Sequence, residues 1–248
     1  MGISAVILAR NAARTLEMTL DSVRFCNEVI VIDDNSTDDT IAVAKRKKAV
    51  VHTRAINGDF AAQRNFGLSK ARGEWILFVD ADEVVSPELA REIQEAVLQV
   101  DVSGFFLKRQ DVLWGTTLRF GETAGVRLLR LGRSGKGKWH RPVHEVWKVA
   151  GVVGTLNAPL THMPHQTVAE FLRDINDYST INAKHFYETG TRVTVWQIVA
   201  YPLAKFFLNY VGKQGYRDGV VGSIVALMMS FHSFLTRAKI WQLQNQRG

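Results

Sequence analysis

One cysteine, Cys26, is all the thiol this 248-residue chain has. A lone cysteine closes no internal disulfide, so a reducing compartment is favoured over a secreted, disulfide-stapled scaffold. No basic stretch precedes the first apolar run, and Met1-Gly2-Ile3-Ser4-Ala5-Val6 reads as the start of a strand and not as a signal peptide. Collagen-like repeats are absent. With 46% hydrophobic and 22% charged residues the composition is that of a folded core, which excludes a disordered chain. No strand interleaves aromatic and basic side chains in the manner of RNA-binding sheets, and the basic runs fall at helix ends and loops. What the chain does have is uneven charge. The total is +7, but residues 1–103 carry net −4, residues 104–148 net +7 and residues 196–248 net +5.

The acidic front half alternates strand and helix. Ser4–Ala9, Glu28–Ile32, Val50–Thr53 and Trp75–Val79 are short, apolar runs of the kind buried on both faces of a sheet. Between them lie helical patterns. The first is expected to be capped by Asn11 and to carry Leu16, Leu20 and Val23. A second runs through Ile41 and Ala44, and a third covers Phe60–Lys70. Ser86-Pro87 opens a fourth, cap followed by proline at the first helical position. This order predicts an α/β fold with a mostly parallel sheet between helices.

In such sheets ligands bind beyond the carboxyl ends of the strands, and two of these strands end in acids. The first end is Asp33-Asp34. Carboxylates accept hydrogen bonds only, so this pair suits the N–H of a base or the hydroxyls of a ribose; helix capping is the plainer alternative. The second is Asp80-Ala81-Asp82, followed by Glu83. Residues two apart in an extended segment point to one side. Asp80 and Asp82 are therefore expected to share one hard divalent ion, Mg²⁺ or Mn²⁺, which would relieve their repulsion and meet substrate phosphates.

The segments Ser4–Asn11, Val31–Asp38, Gln63-Arg64-Asn65-Phe66-Gly67-Leu68 and Phe78–Glu83 resemble the family-2 glycosyltransferases of GT-A fold, and the similarity covers about residues 3–100 with high motif specificity. It extends more weakly through residues 140–165 and the tail. Pro142-Val143-His144-Glu145 and the apolar tail are similar to the bacterial lipopolysaccharide-core β-glucosyltransferase type. The resemblance implies that Asp33 and Asp34 hold uracil and ribose and that Arg64 approaches the nucleotide. It further implies that Asp80 and Asp82 form the metal–diphosphate motif, that His162 adds a metal contact, and that Glu145 is the catalytic carboxylate. The reaction so implied is a single displacement with inversion, moving glucose from UDP-glucose to a lipid-linked or envelope glycan. A polyprenyl-phosphate sugar synthase, using the same donor half with a phosphate nucleophile, is the alternative.

Three features stay open at this level. The basic block Arg127, Arg130, Arg133, Lys136, Lys138 and Arg141 suits either an anionic acceptor or diphosphate, or else a solvated hairpin around Gly132, Gly135 and Gly137. Glu122 is a second candidate base. His140/His144 and His162/His165 lack cysteine partners and a clean four-ligand set, so zinc is not expected. A division into a transferase domain, residues 1–165, and a helical extension, residues 166–248, is expected. In the extension, Gly219–Thr236 is an uncharged run of 18 residues, near the lower limit for a spanning helix. Its sidedness, Ile224, Leu227, Met228, Phe231 and Leu235 against Ser223, Ser230, Ser233 and Arg237, predicts a helix lying in an anionic membrane interface, with packing on the core or on a second subunit as the alternative. The expected location is cytoplasmic, peripheral on the inner face of the cell membrane.

Overall fold

The computed structural model describes residues 2–142 and 145–246. Val143 and His144 lie outside the described residues, and with His144 the pairing considered with His140. Elements follow in the order β1 (Ile3–Ala9), α1 (Leu16–Ser22), β2 (Glu28–Asp33), α2 (Thr40–Arg46), β3 (Val50–Thr53), α3 (Phe60–Lys70), β4 (Trp75–Asp80), β5 (Glu83–Val85), α4 (Pro87–Ala96), β6 (Val102–Leu113), β7 (Thr116–Thr117), β8 (Arg127–Arg133), β9 (Gly137–His140), β10 (Val146–Val149), β11 (Val152–His162), α5 (Val168–Glu188), α6 (Val195–Phe207) and α7 (Gly219–Asn245). The chain divides into two compact units, Met1–Arg109 with Val126–His162, and Gln110–Gly125 with Met163–Gly248.

The first unit is built on a sheet of order β3-β2-β1-β4-β8-β6-β11-β5. The strands β3, β2, β1 and β4 run parallel. From β4 onward the sheet is mixed rather than mostly parallel, because β8 runs antiparallel to β4 and to β6, and β5 antiparallel to β11. Side-chain alternation explains why β1 is apolar at every position but Ser4, and β4 at every position before Asp80. Ala5, Ile7, Leu77 and Val79 face one core with α1 and α4, while Val6, Ile76 and Phe78 face another with α3, Trp139 and Trp147.

Local chemistry sets the helix starts. Ser86 Oγ accepts from the Leu89 amide at 3.1 Å, with Pro87 first in the helix, as the sequence predicts. Asn11 does not cap α1, which begins five residues later. It sits at φ 47° and its Oδ1 accepts from the Thr37 amide at 2.8 Å, tying the loop after β1 to the loop after β2. Gly67 lets α3 press onto the sheet, since a Cβ there would stand 2.5 Å from Val6 Cγ1.

In the second unit, Leu113 and Leu118 join Phe171, Ile175 and Val225 in one cluster, which draws Gln110–Gly125 in with the helices α5 and α7. The faces of α7 differ from the sequence expectation. Its buried residues are Gly222, Val225, Ala226, Ser233, Thr236 and Ile240, so small side chains make the contacts and Ser233 is inside. Gly222 is required there, because a Cβ would lie 2.0 Å from the Gly215 carbonyl oxygen. Leu227 and Phe231 are exposed, whereas Met228 and Leu235, expected on the same outward face, pack against that cluster.

Candidate active site

The parallel block aligns the two acidic strand ends. Asp33 pairs in register with Ala9 and Asp80 with Leu8, so β1 lies between them. Two strand spacings separate the ends by roughly 10 Å, about the reach of a nucleoside diphosphate. Asp33 is fully buried. Its Oδ2 accepts from the Ser36 amide at 3.2 Å, and its Oδ1 has no partner among the described residues. Asp34 accepts from Arg10 Nη1 at 3.1 Å and from the Ile56 amide at 2.8 Å.

The segment Gln63-Arg64-Asn65-Phe66-Gly67 explains how α3 is tied in place. Gln63 exchanges hydrogen bonds with the Arg54 side chain and carbonyl, at 2.6 and 2.7 Å. Asn65 bonds both backbone groups of Trp139, at 2.9 and 3.0 Å, and so anchors β9. The Phe60 amide donates to the Pro142 carbonyl at 2.9 Å, which holds the approach to Glu145. Arg141, just before it, adopts φ 73°, a costly conformation for a residue with a Cβ.

Arg64 points into the site with its guanidinium 4.8 Å from the Trp139 ring centre. Nε donates to Glu145 Oε1 at 2.8 Å and Nη2 to Asp80 Oδ1 at 2.9 Å. From β8, Arg130 Nη2 donates to Asp80 Oδ2 at 2.5 Å and lies 3.4 Å from Glu83 Oε1. Glu83 Oε2 in turn accepts from the Asp80 amide at 2.8 Å. Three guanidinium nitrogens, Arg64 Nη1 and Arg130 Nε and Nη1, are buried without a partner among the described residues. An unmet buried donor costs about 1–3 kcal/mol.

Electrostatics splits the two neighbouring acids. Burial opposes the charge on Asp80, but Arg130 and Arg64 outweigh it and hold the carboxyl well below the usual range. Glu83 is fully buried, and burial pushes its carboxyl up against the pull of Arg130.

The sequence placed Asp80 with Asp82 on one ion. In the structure both Asp80 oxygens are engaged by arginines, whereas Asp82 Oδ2 lies 3.4 Å from His162 Nε2. The short strand β5, which local patterning did not suggest, makes this second pair. It runs antiparallel to β11, with His162 opposite Glu83. Arg130 also departs from the solvated-hairpin reading, for it is buried within β8. Glu122 belongs to the second unit, where its oxygens accept from Lys205 Nζ and Asn209 Nδ2, each at 2.8 Å. Glu83 and Trp139 were missed as site residues. The only local signal for Glu83 was its place directly after the Asp-x-Asp, and Trp139 had none.

The sequence pattern of Glycosyl transferase family 2 matches residues 4–147, more than half of the chain. The lipopolysaccharide core biosynthesis glycosyltransferase LpsC of Rhizobium meliloti (strain 1021) is 29% identical over 248 aligned residues, 97% of this chain and 92% of that protein. An uncharacterized glycosyltransferase of Rickettsia felis is 26% identical, over 96% of this chain and 89% of its own. Among solved structures, residues 1–349 of TarS from S. aureus in complex with UDP match with a TM-score of 0.52 at 14% identity, over 100% of this chain and 92% of that one. At that identity the likeness concerns the fold.

Proposed function

The chain belongs to glycosyl transferase family 2, and on that premise we propose that it is an inverting enzyme that moves a hexose, glucose, from a UDP-sugar to a lipid-linked or lipopolysaccharide-type envelope glycan. One observation carries the reading. Buried polar atoms without partners among the described residues lie at both acidic strand ends, an acceptor on Asp33 and donors on Arg64 and Arg130. A uridine diphosphate supplies the complement, an N–H for the first and phosphate oxygens for the second. The acceptor class is supported by the relative named for lipopolysaccharide core biosynthesis.

In this reading Asp33 and Asp34 receive the nucleoside, and Arg64 and Arg130 hold the diphosphate. Glu145 spends Oε1 on Arg64 and keeps Oε2 to take the proton of the attacking hydroxyl. Attack opposite the leaving diphosphate inverts the anomeric carbon. Asp82 and His162 offer two donors, and among the described residues no group of three His, Cys, Asp or Glu forms a closed metal site. That set suits a hard cation that takes one or two protein ligands and fills the rest with phosphates. When bound, Mg²⁺ or Mn²⁺ supplies charge neutralisation for the departing diphosphate. Asp80 serves the donor through its arginines.

We place the enzyme at the inner face of the cell membrane. By length and composition, Gly215–Asn245 is long and apolar enough to cross one. An interfacial position is favoured, because apolar Trp196, Leu203 and Phe207 on α6 and Leu227 and Phe231 on α7 are exposed while small residues of α7 pack inward. A thermal-shift panel of UDP- and GDP-sugars, with and without Mn²⁺, tests the donor assignment. UDP-sugars should stabilise the protein, and equal stabilisation by GDP-sugars would overturn it. Transfer to polyprenyl phosphate that survives Glu145→Gln would favour the synthase instead.

A further inference from the structure

The second unit holds a cavity of about 270 Å³ that takes no part in the chemistry described above. Its wall carries three cations, Lys205, Lys213 and Arg237, against one acid, Glu122. That acid is already satisfied on both oxygens, by Lys205 and Asn209 at 2.8 Å. Arg237 is fixed by its surroundings. Its Nη1 donates to Ser233 Oγ at 2.7 Å, and its guanidinium stacks 4.1 Å from the Tyr201 ring centre. Among the described residues no carboxylate pairs with Arg237 or with Lys213. The remaining wall is apolar, from Tyr201 and Leu208, and Leu208 is itself 56% exposed. Leu203 and Phe207, one turn or less away on α6, are exposed as well.

We infer that this cavity binds the phosphate of a phosphorylated amphiphile, a phosphoglycolipid acceptor or its lipid anchor, with the apolar part lying along the exposed face of α6. Two uncompensated cations, Lys213 and Arg237, around one pocket match a dianion with several acceptor oxygens, and a stacked arginine presents its remaining N–H groups in a fixed fork. The exposed apolar side chains beside it account for an amphiphile over a free anion, which would gain nothing from them. The inference deepens the proposed function and rests on its lipid-linked acceptor, but the site is read out by binding alone.

The test titrates the full chain, without nucleotide-sugar, with dihexanoyl phosphatidic acid below its micellar concentration. Dihexanoyl phosphatidylcholine and inorganic phosphate are titrated in parallel. Phosphatidic acid should bind saturably at one site, and more tightly than either comparator. Arg237→Gln should weaken it about tenfold, the loss of one charge-assisted contact. Lys213→Gln, at an exposed side chain on the cavity wall, should weaken it severalfold with melting temperature unchanged. Unaltered affinity in both variants would overturn the site. Inorganic phosphate binding as tightly as phosphatidic acid, or phosphatidylcholine binding equally, would overturn the ligand class. Intact phosphatidic acid binding without any sugar transfer would instead count against the transferase reading and leave this site standing.

Discussion

Arg64 Nε donates to Glu145 Oε1 at 2.8 Å across 81 residues of sequence, and the same guanidinium reaches Asp80 Oδ1 at 2.9 Å. One buried cation therefore joins the proposed base to the acid at the end of β4. An ammonium cannot reproduce that planar, two-sided reach. Arg64→Lys should lower kcat/KM by about 100-fold, roughly 2.7 kcal/mol of transition-state stabilisation. Steady-state kinetics with a UDP-sugar checks this, and a loss below threefold would remove Arg64 from the site's working parts.

Glu145→Gln keeps an oxygen for Arg64 but no longer takes a proton. Turnover should fall by about 10²–10⁴-fold, while UDP affinity, measured calorimetrically, stays within about threefold. A parallel loss of UDP affinity would assign Glu145 to donor binding.

The cation is expected to engage the Asp82–His162 pair, 3.4 Å apart, and not the arginine-bound Asp80. Asp82→Asn and His162→Ala should each raise the Mn²⁺ concentration for half-maximal activity by about tenfold or more. Asp80→Asn should act chiefly on UDP affinity. If Asp80→Asn shifts the metal requirement as strongly as Asp82→Asn, the two aspartates share the ion after all.

Glu83 gives a pH signature. Its carboxyl is raised in the folded protein by burial, so the folded state holds a proton that the unfolded chain releases near pH 4.3. That contribution is full below the unfolded value and is lost as pH rises through the folded one. Glu83→Gln, which still accepts from the Asp80 amide, removes the loss. The melting temperature of the variant relative to wild type should therefore climb as pH goes from 4 to 8. A flat difference would mean that Arg130 keeps Glu83 ionised.

Leu227→Glu combined with Phe231→Glu places charge on the exposed apolar face of α7. Flotation with anionic vesicles should show binding reduced at least tenfold at unchanged melting temperature. Undiminished flotation would refute an interfacial role for that face.

Some of the site was legible because it depends on local order. A carboxylate directly after an apolar strand must emerge at the strand's carboxyl end, so Asp33 and Asp80 could be placed from sequence. Ser86 likewise caps by chemistry that acts over three residues. The Asp-x-Asp spacing is a local signal of the same kind. Alternation puts Asp80 and Asp82 on one side of an ideal strand, but the chain turns at Ala81 and Asp82 before β5, and alternation ends there.

Local pattern settled the buried parallel strands, the acidic ends and the starts of α3 and α4, and the resemblance of the motifs pointed to the family. Tertiary structure alone decided which charge meets which. Arg130 reaches Asp80 because β8 inserts beside β4, and His162 reaches Asp82 because β5 pairs with β11. Arg64 reaches Glu145 because Gly67 lets α3 seat closely while Asn65 anchors β9. Those pairings follow from strand register and helix seating over tens of residues, and ion-pair distance is too short-ranged a quantity for sequence spacing to encode.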